Sequence, residues 1–202
     1  MEILGLKLKS KRNANVFVAV TNDEEYLLAS DIIVKNGLSV GEIDDDLFFK
    51  SVKESENLIA YNMALKYINS NVKTEKQIKD YLYKKEFKKD TIDEVVFKLK
   101  DYGIINDKIF SDMYVRSNPN FSKNKVKQKL ASFGVKGDTL DESVEGIDDD
   151  ESCLNNARKF FKNKEKTKEN CDKLIRRLLS MGYRWDTVKH TLNLLNLETE
   201  ED

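Results

Sequence analysis

The chain has 202 residues, of which 35% are charged and 40% hydrophobic, and it contains only 1 Pro and 8 Gly, so its composition favours helices over a turn-rich β fold. No apolar run is long enough for a transmembrane helix, and residues 1–5 lead into Lys and Arg without the apolar stretch of a secretory signal. The two cysteines, Cys153 and Cys171, suit neither a CxxC pair nor a disulfide framework, so we expect a reduced, cytoplasmic protein.

The net charge of −1 conceals blocks of opposite sign. Residues 61–135 carry +7 (16 cations against 9 carboxylates), and residues 152–189 also carry +7 (11 against 4). Between them, residues 136–151 carry −7 (1 against 8). Basic blocks of this kind either follow a phosphate backbone or are solvated faces of helices, and the blocks alone do not decide between the two.

The first fifty residues predict a small β-containing module. Short apolar segments at 3–8, 16–20 and 26–29 are separated by polar residues at 11–15 and 21–25, which is typical of a three-stranded meander. Ser30 and Asp31 are candidate caps of a short helix that ends at Gly37, and residues 40–43 are expected to pair with the meander. Because three strands alone are marginally stable, this module should pack on the helices that follow.

The remainder of the chain repeats with a period of 48 residues. The register is seen in the Asp-Thr pairs that begin at Asp90, Asp138 and Asp186. It is also seen in three sets of apolar residues: Ile78, Val126 and Leu174; Leu82, Leu130 and Leu178; Leu65, Met113 and Phe161. So many positions in one register indicate tandem repeats that arose from one unit.

Each repeat is predicted to contain three helices. Helix two has one apolar stripe and ends at a glycine, Gly134 or Gly182, while helix three starts at the Asp-Thr cap, with capping boxes from Thr91 and Thr139. The predicted domains are a β module (1–50), three repeats (51–106, 107–150 and 151–197) and an acidic tail (198–202). The fold class is therefore mainly α, an elongated, curved array of three-helix repeats behind the β module.

No motif of an enzyme is present, and we expect no catalytic residue, no metal and no cofactor. The chain lacks a phosphate-binding glycine loop and a dinucleotide fingerprint, and its only histidine, His190, is expected on the surface. The acidic runs 44–46 and 148–151 lack the glycine turn and spaced ligands of a calcium loop, so they are interpreted as linkers or helix N-termini.

The basic residues of helix two follow the repeat. Lys125 corresponds to Lys173 and Lys129 to Arg177, and within each helix the two are four residues apart, on one face. The candidate partner- or DNA-binding residues are Lys123, Lys125, Lys127, Lys129, Lys173, Arg176, Arg177 and Arg184. We predict that Lys125, Lys129, Lys173 and Arg177 point to solvent as one continuous strip. Such a strip suits a phosphate backbone or an acidic protein groove, whereas sequence-specific reading of bases is disfavoured.

Two segments carry a family resemblance: residues 102–116 (YGIINDKIFSDMYVR), and residues 64–68 followed by Thr74 and Glu75. The first is similar to the central signature of the RecX family, the bacterial regulators of the RecA recombinase, and the second matches that family's first-repeat opening. Residues 177–186 (RLLSMGYRWD) resemble its last repeat, and residues 28–38 resemble the N-terminal extension of longer members. The sequence departs from the pattern at Ser111, where Ala is usual, and at Phe121, near a usual Gly.

The resemblance implies a monomeric, non-enzymatic regulator in DNA repair and the SOS response. Such proteins bind the RecA–DNA filament along its groove and inhibit strand exchange and the filament's coprotease activity. They contact single- or double-stranded DNA, either directly or through RecA, and no membrane partner is expected. Two alternatives remain open: an autonomous DNA-binding module without sequence preference, and a helical scaffold for another protein.

Overall fold

The structure, a computed structural model, describes residues 1–10 and 13–197. The chain divides into two compact units, Met1–Ile105 and Asn106–Asp202. The first unit contains the β module and repeat 1, and the second contains repeats 2 and 3. The acidic tail predicted at 198–202 and the connection at residues 11 and 12 lie outside the described residues.

The N-terminal sheet is antiparallel, with the strand order β3-β2-β1-β4. Its strands are β1 (Glu2–Ser10), β2 (Asn13–Thr21), β3 (Glu25–Ala29) and β4 (Gly41–Glu42). The connection from β2 to β3 is closed by Thr21, whose side-chain hydroxyl donates to the carbonyl of Glu24 over 2.8 Å. The predicted meander, and the return of residues 40–43 to it, are confirmed.

A short helix, α1 (Ser30–Asn36), follows the sheet and ends at Gly37, whose φ of +64° confirms the predicted glycine stop. The prediction that Ser30 and Asp31 cap this helix is wrong. Strand β3 runs directly into the helix, so the extended residue Ala29 is the N-cap and makes no side-chain cap bond. Ser30 and Asp31 therefore fall inside the first turn, where the Ser30 hydroxyl donates to the Asp31 carboxylate over 3.1 Å.

The nine remaining helices within the described residues form three consecutive triplets. Repeat 1 comprises α2 (Asp45–Ile68), α3 (Glu75–Tyr83) and α4 (Lys89–Asp101). Repeat 2 comprises α5 (Asp107–Ser117), α6 (Lys123–Ser132) and α7 (Gly137–Glu145). Repeat 3 comprises α8 (Asp149–Phe161), α9 (Lys168–Ser180) and α10 (Trp185–Leu194).

Helix α2 joins the sheet to repeat 1, and the boundary predicted at residue 50 falls inside it. Near its start, Phe48 is fully buried in the core of the sheet, together with Ile3 and Leu28. Near its end, Ala60 and Ala64 are fully buried in the core of repeat 1. The β module therefore packs on the following helices, as its small size required.

The apolar stripe of helix two recurs in all three repeats. Its six positions are at most 1% exposed: Ile78 and Leu82 in α3, Val126 and Leu130 in α6, Leu174 and Leu178 in α9. Each pair lies in a separate cluster of buried residues, one per repeat. Burial of the same positions in each repeat explains why apolar residues recur there with a period of 48.

The turn after helix two adopts the left-handed conformation in each repeat. Gly134 has a φ of +98° and Gly182 a φ of +90°, as predicted for glycines that end a helix. In repeat 1 the equivalent residue is Glu86, which has a φ of +64°. The repeat therefore imposes this backbone conformation even where the residue is not glycine.

The predicted Asp-Thr caps of helix three are wrong. The N-caps of α4, α7 and α10 are Lys88, Lys136 and Arg184, none of which makes a side-chain cap bond. The Asp and Thr of each pair lie second and third within the first turn, where a carboxylate still interacts favourably with the helix dipole. The capping boxes from Thr91 and Thr139 do not form, and the Thr91 hydroxyl instead donates to Glu56 of α2 over 3.0 Å.

Candidate basic binding surface

Seven of the eight cations predicted for binding belong to α6 and α9, and the eighth, Arg184, is the N-cap of α10. Seven of the eight side chains are exposed: Lys123, Lys127, Lys129, Lys173, Arg176, Arg177 and Arg184. Because the apolar residues of each helix face the core of their repeat, the cations are left on the opposite, solvated faces. We call this set the basic surface; its role in binding stays a prediction.

Lys125 is the exception, and the prediction that it points to solvent is wrong. This side chain is half-buried, and its ammonium group donates to the backbone carbonyl of Ser180 at the end of α9. The ammonium also lies 5.2 Å from the centroid of the Phe121 ring, within the range of a cation–π contact. Lys125 therefore connects repeat 2 to repeat 3. Its acceptor, the Ser180 carbonyl, lies about one helical turn after Arg177 in α9.

A backbone junction beside Lys125 holds the two repeats of the second unit together. The N–H of Ser122 donates to the carbonyl of Met181 over 3.0 Å, and the Ser122 hydroxyl donates to the carbonyl of Gly182 over 2.7 Å. A Cβ on Gly182 would lie 2.7 Å from both Ser122 Oγ and Lys125 Cβ, closer than packed atoms approach. Only glycine fits here, for its positive φ and for this close approach.

A buried polar network forms a second link between repeats 2 and 3. The hydroxyl of Tyr183 donates to the backbone carbonyl of Asn120 over 2.9 Å, and the side-chain amide of Asn156 donates to both of these oxygens. Ser152 Oγ lies 2.9 Å from the Tyr183 hydroxyl oxygen. Burial raises the pKa of Tyr183, while hydrogen bonds with Ser152 and Asn156 act in the opposite direction. The two links fix α6 and α9, and therefore the spacing of their cations.

The cations of the basic surface differ in their ion pairing. Three of them pair with a carboxylate: Lys127 with Asp141 at 2.5 Å, Lys173 with Glu169 at 2.6 Å, and Arg184 with Asp186 at 3.8 Å. The Lys173 ammonium lowers the pKa of Glu169. Within residues 1–10 and 13–197, no ion pair is made by Lys123, Lys129, Arg176 or Arg177. These four side chains are available to an external anionic group.

Sequence reasoning missed two cations in the repeat register. Lys88 at the N-cap of α4 and Lys136 at the N-cap of α7 are exposed and occupy the position of Arg184 in repeat 3. A cation beside the positive end of a helix is locally unfavourable, so helix stability does not explain why all three repeats have one there. Extending the period of 48 back from Arg184 would have found both.

The two acidic runs considered for metal binding begin helices. Asp44 and Asp148 are the N-caps of α2 and α8, as expected for acidic helix N-termini. Across the described residues, no group of three or more His, Cys, Asp or Glu is arranged to hold a metal ion. His190 is exposed, whereas Cys153 and Cys171 are buried, unpaired thiols whose pKa values are raised by burial. Among residues 1–10 and 13–197, no helix is long and apolar enough to cross a membrane.

Comparisons with known proteins place this architecture. A family model described as RecX, first three-helix domain, matches residues 60–99. The regulatory protein RecX of Clostridium tetani (strain Massachusetts / E88) is 30% identical over 198 residues, which cover 93% of this chain and 90% of that protein. The regulatory protein RecX of Clostridium perfringens (strain 13 / Type A) is 35% identical over 187 residues, which cover 87% of this chain and 88% of that protein.

Solved structures share the fold. A crystal structure of regulatory protein RecX matches with a TM-score of 0.64 and 17% identity, over 95% of this chain and 98% of that chain. A crystal structure of RecX from Lactobacillus salivarius matches with a TM-score of 0.58 and 24% identity, over 71% of this chain and 98% of that chain. The mainly helical fold behind a small antiparallel sheet is therefore that of known RecX structures. The two relatives, 30% and 35% identical over most of both sequences, establish that the chain belongs to the RecX family of regulatory proteins.

Proposed function

We propose that this protein binds the RecA filament assembled on DNA and inhibits its strand-exchange and coprotease activities. The proposal is supported by membership of a family of regulatory proteins and by one feature of the second unit. That feature is the set of unpaired cations, Lys123, Lys129, Arg176 and Arg177, on two helices whose spacing is fixed. Exposed, unpaired cations on helices of fixed spacing suit a polymer with regularly spaced anionic groups, such as a nucleoprotein filament. We further propose that the protein acts as a monomer in the cytoplasm.

The contribution of the basic surface is distributed over several contacts. A single solvated contact between charges is worth about 1 kcal/mol or less, so replacement of one cation should have a mild effect. Three reversed charges should together weaken binding by about 3 kcal/mol, which corresponds to about a hundredfold. Lys125 is left unchanged, because it holds the junction between repeats 2 and 3.

The test is inhibition of RecA-catalysed strand exchange, in the presence of ATP and single-stranded DNA, by the triple variant Lys129→Glu, Arg176→Glu and Arg177→Glu. We expect its half-inhibitory concentration to rise by about a hundredfold, with wild-type thermal melting, since exposed substitutions cost within about 0.5 kcal/mol each. The matched control reverses three exposed lysines of the first unit: Lys50, Lys84 and Lys89. Equal inhibition by wild type and the folded triple variant would contradict the proposal.

An autonomous DNA-binding module is the second candidate, favoured by the same unpaired cations. It predicts that the protein binds DNA equally well without RecA and that affinity falls by orders of magnitude as salt rises. A filament regulator instead requires RecA on the DNA for tight binding. Binding of labelled DNA with and without RecA, at two salt concentrations, separates the two, and a helical scaffold for another protein would show neither.

A further inference from the structure

A groove of about 610 Å³ lies within the first unit, and none of its lining residues belongs to the basic surface. One wall is the hairpin of β1 and β2, and the other is the C-terminal half of α2. Lys9 belongs to the hairpin wall and Lys66 to the helix wall. The segment that joins β3 to α1 lines the rest of the groove. Neither the repeats nor the proposed inhibition of RecA accounts for this site.

The groove favours an anionic ligand. Lys9 and Lys66 are both exposed, and neither forms an ion pair with any residue that the structure describes. Of the described residues that line the groove, Asp31 is the one carboxylate. A phosphate group would therefore meet uncompensated positive charge.

The remaining lining residues match a nucleobase. Three amide side chains line the groove, those of Asn15, Asn62 and Asn69, and all three are exposed and make no hydrogen bond to other described residues. Amide side chains offer donors and acceptors to the edges of bases. Apolar side chains that are only partly buried also line the groove: Val16, Ile59 and Met63. Apolar side chains can pack against the face of a base.

The helix wall is built from one face of α2. Ile59, Asn62, Met63 and Lys66 are spaced by three, four and seven residues, so they lie along the same side of the helix. The buried residues Phe48, Ala60 and Ala64 of α2 pack in the two cores of the first unit. The four residues of this face belong to neither core. Cation, amide and apolar groups are thus arranged side by side on a rigid element.

We propose that this groove binds single-stranded nucleic acid, with backbone phosphates at Lys9 and Lys66 and a base on Val16 and Met63 within reach of the amide groups. A single strand fits better than a duplex, because its unstacked bases can turn their faces and edges toward the protein. The site lies in the first unit, so it does not depend on the basic surface of the second.

The first test is fluorescence anisotropy of a short labelled oligothymidine with the full chain and its Lys9→Gln, Lys66→Gln variant. We expect the double variant to lose about tenfold in affinity at low salt. The slope of log K against log salt concentration should fall in magnitude by about 1.4, because each lost phosphate contact on a single strand contributes about 0.7. A matched variant, Lys84→Gln with Lys89→Gln, should leave both unchanged. Both double variants are also measured in a chain that carries Lys129→Glu, Arg176→Glu and Arg177→Glu, because these changes remove binding through the basic surface.

The second test asks whether the groove recognises bases or only charge. An oligomer with abasic sites should bind more weakly than oligothymidine, and Asn62→Ala should reduce that difference while Lys9 and Lys66 are intact. Photo-crosslinking of an oligomer that contains 5-iodouracil should label the peptides around Lys9 to Val16 or Ile59 to Asn69. Equal binding of abasic and normal strands would show a site that recognises phosphate alone, and competition by polyglutamate as strong as by DNA would show an acidic-peptide site. Either result would overturn the proposal.

The failures of the two proposals are distinguishable. If the groove binds no nucleic acid, the Lys9→Gln, Lys66→Gln variant binds oligothymidine like the wild type, which overturns this inference, while inhibition of RecA still responds to the basic surface. If the protein does not inhibit RecA, the groove is still expected to bind the oligomer. Crosslinks confined to residues 123–184 would also contradict the inference.

Discussion

Repeat 1 and repeat 3 share one helical plan but use their charged residues differently. In repeat 1, Lys79 of α3 pairs with Glu75 at 2.8 Å and with Asp93 of α4 at 3.5 Å, and Lys100 pairs with Glu75 at 2.8 Å. In repeat 3, Arg176 and Arg177 of α9 pair with no carboxylate within the described part of the chain. Lys79 and Lys100 of repeat 1 are therefore neutralised by neighbouring carboxylates, whereas Arg176 and Arg177 of repeat 3 remain available to a partner.

The turn after helix two shows a second difference between these repeats. Glu86 and Gly182 both have positive φ, yet only Gly182 is pressed against a neighbouring repeat, at Ser122 and Lys125. The turn itself tolerates a side chain at some energetic cost, as Glu86 demonstrates. The absolute need for glycine arises only where another repeat packs on the turn.

The largest expected effect is from Gly182→Ala. Its Cβ adds left-handed strain of about 1–2 kcal/mol to overpacking of about 1–3 kcal/mol at the junction, so the free energy of unfolding should fall by about 2–5 kcal/mol. Urea unfolding monitored by circular dichroism measures this change. A loss below about 1 kcal/mol would mean that the junction relaxes and does not fix α6 against α9.

The matched substitution in repeat 1 is Glu86→Gly, which should have the opposite sign. Removing the side chain relieves left-handed strain, offset in part by the greater freedom of glycine in the unfolded chain, so we expect a gain of about 0.5–1 kcal/mol. The same urea titration measures it. A loss of stability would imply that the Glu86 side chain makes a stabilising contact that outweighs its backbone strain.

Tyr183→Phe should have an intermediate effect on repeat 3. Loss of the hydroxyl removes its hydrogen bonds to the Asn120 carbonyl and to Asn156, which should lower the free energy of unfolding by about 1–2 kcal/mol. The control is Tyr114→Phe in repeat 2, whose hydroxyl forms no hydrogen bond to another described residue and which should change stability little. Equal melting temperatures for the two variants would argue against the polar network as a link between repeats.

The smallest expected effect tests the ion pairs of repeat 1. Hydrogen bonds with Lys100 and Lys79 lower the pKa of Glu75, so its ion pairs stabilise the fold above the pKa of the unfolded carboxyl. That stabilisation is lost as the pH falls through the lowered pKa. Because solvent screens these charges, Glu75→Gln should reduce the free energy of unfolding by less than about 1 kcal/mol at neutral pH. The difference from wild type should vanish in acid; a difference independent of pH would instead indicate lost packing.

Much of the helical architecture was predictable because each repeat buries the same positions. The stripe of Leu82, Leu130 and Leu178, and the glycine turns at Gly134 and Gly182, follow from residues whose environment recurs every 48 positions. The starts of helix three were less predictable. Asp and Thr are favourable anywhere in the first turn, so local preferences did not distinguish an N-cap from the second or third position.

What the sequence alone determined is which cations share a helix face, since a spacing of four residues fixes that without a fold. Whether a cation is free depends on its neighbours in space: Lys125 meets the carbonyl of Ser180, while Arg177 meets no described carboxylate. Likewise, no sequence pattern joins Lys9 to Lys66, because the groove takes the first from a strand and the second from a distant helix. Only the tertiary structure brings such residues together, since packing joins chain segments whose separation leaves no local pattern in the sequence.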